Sequence, residues 1–96
     1  MHIEDIDMNM AVFTTKNVMK NGLTIVRVSH GDDGYWQFFD AVSTNSNENI
    51  MLVSMGSVLN MDESLRAILK MEPSHRASRE GKNQDWIVEK YIEEEE

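Results

Sequence analysis

The sequence predicts an α+β fold: a small antiparallel or mixed sheet of about five strands, with helix packed on one face. Three observations carry this expectation. The β-rich run Leu23-Thr24-Ile25-Val26-Arg27-Val28 enters a turn holding two glycines and two aspartates, and the aromatic run Tyr35 to Phe39 leaves it. The run Ile50-Met51-Leu52-Val53 is continuously apolar, as in a strand buried on both faces. Met61, Leu65, Ile68 and Leu69 share one helical face ahead of the chain's single proline, Pro73.

In chain order, Met10 to Thr14 forms a short apolar strand. Thr15 is placed to cap one helical turn through Met19, closed by Asn21-Gly22. Residues 23–28 form the next strand, with Thr24, Val26 and Val28 on one face and Leu23, Ile25 and Arg27 on the other. Asp33-Gly34 supplies the chemistry of a tight turn, because aspartate bonds nearby backbone and glycine accepts positive φ. Tyr35 to Phe39 then pairs back as a hairpin. In that strand Tyr35 and Phe39 point one way and Trp36 and Phe38 the other, so one pair enters the core. The polar stretch 41–49 is a loop, and 50–53 is expected to be a central strand. Ser54 or Ser57 starts a short helix, and Asp62 caps the main helix, about 62–71, which Pro73 ends. Residues 74–80 and 85–91 flank Gly81-Lys82-Asn83-Gln84 as a second hairpin. Met51, Met55, Met61 and Met71 are expected to fill the core.

The chain has 96 residues, no cysteine and a net charge of −8. A thiolate metal site, a disulfide framework and a cysteine nucleophile are therefore excluded. The charge sits at the ends: Glu4, Asp5 and Asp7 near the start, and Glu93 to Glu96 at the finish. Residues 10–92 carry ten acids against nine bases and are nearly neutral. The expected organisation is a flexible acidic end over 1–9, one domain over 10–92 and an acidic tail over 93–96. Nucleic acid is not an expected partner, since its affinity rests on clustered cations. No apolar run reaches the length of a membrane span, and the first residues lack the basic and apolar parts of a leader, so a cytoplasmic location is expected.

Two functional readings follow. The first is a non-enzymatic module that binds another protein, or a second copy of itself, with no cofactor or metal. Its candidate surface comprises His30, Asp32, Asp33, Tyr35, Trp36, Arg76, Arg79 and Trp86. Aromatic residues and arginine dominate such contacts, and Arg76 and Arg79 with Lys82 form a small basic patch suited to a carboxylate or phosphate. The second is a small metal-dependent or acid/base enzyme. It uses His30 with Asp32 or Asp33, imidazole and carboxylates being ligands for zinc or manganese, with His75 as a distant addition. No glycine-rich phosphate loop or Gly-x-Ser-x-Gly elbow is present.

Three stretches also resemble a family of small bacterial α+β proteins, a domain of unknown function related to toxin-immunity proteins. They are Val28-Ser29-His30 with Asp33-Gly34 and Trp36-Gln37-Phe38; Val53-Ser54 through Val58-Leu59 to Asp62 and Ser64-Leu65; and Pro73, Ala77 and Arg79 followed by Trp86. The likeness spans about residues 11–88. The chain departs from the family pattern at Glu63, where members often have proline, and at Ser74-His75, where they often have glycine and an aromatic residue. The resemblance implies an α+β fold and a role in neutralising a toxin, and it brings no catalytic residue.

Overall fold

A computed structural model describes residues 7–43 and 49–90. Strand β1 (Ala11–Thr15) leads into helix α1 (Lys16–Asn21), followed by β2 (Arg27–His30), β3 (Trp36–Phe39) and β4 (Ile50–Ser54). Helix α2 (Met55–Met61), a 3-10 helix (Glu63–Ile68), β5 (His75–Ser78) and β6 (Ile87–Lys90) complete the chain. The six strands form one mixed sheet in the order β4-β1-β3-β2-β5-β6. Only β1 and β3 run parallel; the other neighbours are antiparallel.

The helices cover one face of the sheet. Val12, Val28, Trp36, Phe38 and Ala77 of the strands share a buried cluster with Val18 of α1, Met55, Val58 and Leu59 of α2, and Leu65 and Ile68 of the 3-10 helix. The pair that enters the core is thus Trp36 and Phe38. Local chemistry sets the ends of α1 as the sequence predicts. The Thr15 hydroxyl accepts from Val18 N–H, and Gly22 closes the helix at φ 72°. Ser54 caps α2 in the same way, accepting from Ser57 N–H.

Four expectations are corrected. The run 50–53 is not a central strand: β4 lies at the sheet edge, and Leu52 is 62% exposed. The main helix expected at 62–71 is shorter and of another type, a 3-10 helix over Glu63–Ile68, although Asp62 caps it as expected, its side chain accepting from Ser64 N–H. The strand expected over 23–28 is β2 from Arg27 onward, and ahead of it Ile25 and Val26 are both buried instead of alternating. Met61 is exposed, although Met55 and Met71 are buried. Ahead of β1, the Met8 carbonyl accepts from Gly56 N–H, and Met8 packs on the core. Residues 1–6, the middle of the 41–49 loop, Tyr91 and the 93–96 tail lie outside the described residues.

Two buried carboxylates fasten the elements together. Asp62 Oδ2 accepts from Arg79 Nη2 at 2.7 Å, while its Oδ1 accepts from the backbone and hydroxyl of Ser64. Arg79 also donates from Nε and Nη2 to the Ile25 carbonyl and from Nη1 to Ser64 Oγ, and its guanidinium lies 4.2 Å from the Trp86 ring centroid. This one side chain therefore ties the segment after β5 to residues 23–26, to the 3-10 helix and to the second hairpin. Asp40, after β3, accepts from the Thr15 hydroxyl, the Ser43 hydroxyl and the N–H groups of Val42 and Ser43. Burial pushes both carboxyls up, but these hydrogen bonds outweigh it, joined at Asp62 by the charge of Arg79, and hold both below the ordinary aspartate value.

Candidate functional site

Strand alternation sends every second side chain to the face opposite the helices. Among the described residues, no helix packs there. Register places Leu52, Phe13, Gln37, Ser29, Arg76 and Glu89 in a single row across all six strands on this open face. The row changes character along its length. At the β4-β1-β3 end it is apolar: Leu52 is exposed, and Phe13 meets the 54% exposed Tyr35 edge-on, with ring centroids 6.2 Å apart. Toward β5 and β6 it becomes polar. Arg27, Ser29, Gln37, Phe39, Arg76, Ser78 and Glu89 line a concavity of about 500 Å³. Arg76 Nε donates to Glu89 Oε2 at 3.1 Å across β5 and β6, and both side chains are more than half exposed.

The predicted site residues are divided between the two faces and the turn. Tyr35 and Arg76 lie on the open face. Trp36 is 3% exposed and stacks with His30 at 3.9 Å on the covered face, so it is not contact surface. Arg79 is buried in the Asp62 node, and Trp86 is the half-buried ring beside its guanidinium; the basic patch with Lys82 does not form. Arg79 looks like a surface candidate in sequence because its partners, the Asp62 carboxylate and the Ile25 carbonyl, lie far away along the chain.

The turn 31–35 is built as turn chemistry predicts. Asp33 Oδ1 accepts from Tyr35 N–H, Gly34 N–H donates to the Gly31 carbonyl, and Gly34 takes φ 91°. Asp32 is exposed. His30 turns its Nδ1 to the Met71 carbonyl at 2.9 Å. The structure does not gather His30, Asp32 and Asp33 into a ligand cluster: no group of three or more histidine, aspartate or glutamate side chains able to hold a metal occurs among the described residues. Sequence reasoning missed Phe13, Leu52 and Arg27. The signal for Leu52 was present in the apolar run 50–53 but reads equally as burial.

Fold and site together define an α+β domain with one helix-covered and one open sheet face. Comparison with protein-family models, with curated proteins and with solved structures gives no match. No helix among the described residues is long and apolar enough to cross a membrane.

Proposed function

We propose that this chain is a non-enzymatic protein-binding module whose contact surface is the open sheet face. The observation that carries this reading is the exposed apolar end of that face, Leu52 and Tyr35 beside Phe13. Large side chains left in water next to a polar rim are the makings of an interface. The partner is a protein that lays an apolar patch on Leu52 and Tyr35 and hydrogen-bonds with the Arg27, Arg76 and Glu89 side. The net charge of −8 favours encounter with a basic one. Neutralisation of a toxin, implied by the likeness of the three sequence stretches, is the specific form of this reading.

The test is affinity capture from native lysate with wild type and with the Leu52→Asp/Tyr35→Ser double variant, read by mass spectrometry. A discrete protein recovered by wild type and depleted at least tenfold with the variant supports the proposal. Recovery of no protein, or equal recovery by both forms, overturns it.

A further inference from the structure

On the covered face, at the ends of their strands, His30 of β2 and His75 of β5 are direct cross-strand partners. The sequence separates them, but register makes them neighbours on one side of the sheet, with Cβ atoms roughly 4.5–5.5 Å apart in such a pair. Each ring has its Nδ1 at a backbone carbonyl: Met71 at 2.9 Å for His30 and Pro73 at 3.1 Å for His75. A carbonyl only accepts, so in both neutral rings the proton sits on Nδ1 and the Nε2 lone pair is left for a ligand. The same arrangement orients histidines in metal centres, where the non-ligating N–H is held by a carbonyl or carboxylate. His30 is further fixed by its stack on Trp36, with ring planes 14° apart. Both rings are half-buried, so solvent reaches them.

We propose that His30 and His75 form a two-histidine site for a divalent late transition cation, of which Zn²⁺ is the probe of choice. Imidazole nitrogen suits zinc, copper and nickel, and two Zn–N bonds of about 2.0–2.1 Å require the Nε2 atoms to come within about 4 Å of each other, a span that side chains of a cross-strand pair reach. With no third protein ligand gathered among the described residues, the remaining coordination positions are open to water or to a donor from another molecule. Lys90 follows His75 in the same cross-strand row, and its charge opposes the cation, favouring modest affinity. The site is on the opposite side of the sheet from the proposed docking face and stands independently of it.

The experiment is a Zn²⁺ titration of the full-length, untagged, ¹⁵N-labelled protein, followed through long-range ¹H–¹⁵N spectra of the imidazole rings. The chain has three histidines, and His2 is the internal control. Without metal, His30 and His75 are expected to show the Nδ1–H tautomer. With metal, their Nε2 signals are expected to shift together, saturating at one ion per chain. His75→Gln, at the end of its strand, is expected to keep the backbone spectrum in place and to weaken the Zn²⁺ response of His30 by about tenfold or more. A response confined to His2, a shift at only one of the pair, no shift, or an undiminished His30 response in His75→Gln overturns the proposal.

Discussion

Arg76 and Arg79 leave the same segment of chain and end on unlike sides of the structure. Arg79 is buried, makes hydrogen bonds to Ile25, Ser64 and Asp62, and has the Trp86 ring beside it. Arg76 stands on the open face with Glu89 as an exposed partner. The residue type is the same and the consequence is not. A buried guanidinium joins elements that the chain alone does not connect, whereas one in an exposed ion pair contributes little to folding. The same division runs through the sheet: Val12, Val28, Trp36 and Phe38 are spent on the core, while Phe13, Leu52 and Tyr35 remain outside it.

The sharpest way to break this contrast is to remove each arginine in turn. Arg79→Ala leaves Asp62 buried without its cation and is expected to cost about 3–5 kcal/mol. Arg76→Ala, at a solvent-screened pair, is expected to cost at most about 1 kcal/mol. Urea unfolding of both variants checks the difference; equal losses would remove the distinction.

Acid probes the buried carboxylates next. Asp40 and Asp62 have folded values held below the ordinary aspartate value of 3.8. Their contribution is therefore fully present above that value and is lost as pH falls through the lowered folded values. Asp40→Asn is expected to destabilise the protein by about 1–3 kcal/mol at neutral pH, since its donors lose a charged acceptor. It is also expected to flatten the fall in urea midpoint below pH 4, measured against wild type from neutral pH downward.

The smallest stability effect belongs to the open face. Leu52→Asp is expected to change folding stability by no more than about 0.5 kcal/mol, as read by thermal melting, because Leu52 is exposed on the edge strand. A large loss would show that the open face is part of the fold's support.

How much of this was legible in the chain depended on the reach of the interaction. Thr15 and Gly22 around α1, Ser54 at α2, and the Asp33-Gly34 turn act on backbone within a few residues, so sequence located them. The α+β class and the two hairpins were also readable from alternation and turn residues. Strand order was not, because β1 pairs with β3 and β4 through contacts far along the chain. That is why the apolar run 50–53 looked central: continuous apolarity marks burial on two faces or an edge strand awaiting a partner, and periodicity does not separate them. At 62–71 the Asp62 cap was legible in the same local way, whereas the 3-10 form of Glu63–Ile68 was not. Of the site candidates, Tyr35 and Arg76 lie on the open face, while Trp36 and Arg79 are buried.

The most direct test of the open face is site-specific photo-cross-linking in native lysate. A benzoylphenylalanine at position 52 is compared with one at position 20, where Lys20 is exposed on α1 away from the face. A discrete protein adduct at position 52 and none at position 20 is the predicted result. Adducts of equal yield at both positions, or none at position 52, would contradict the account.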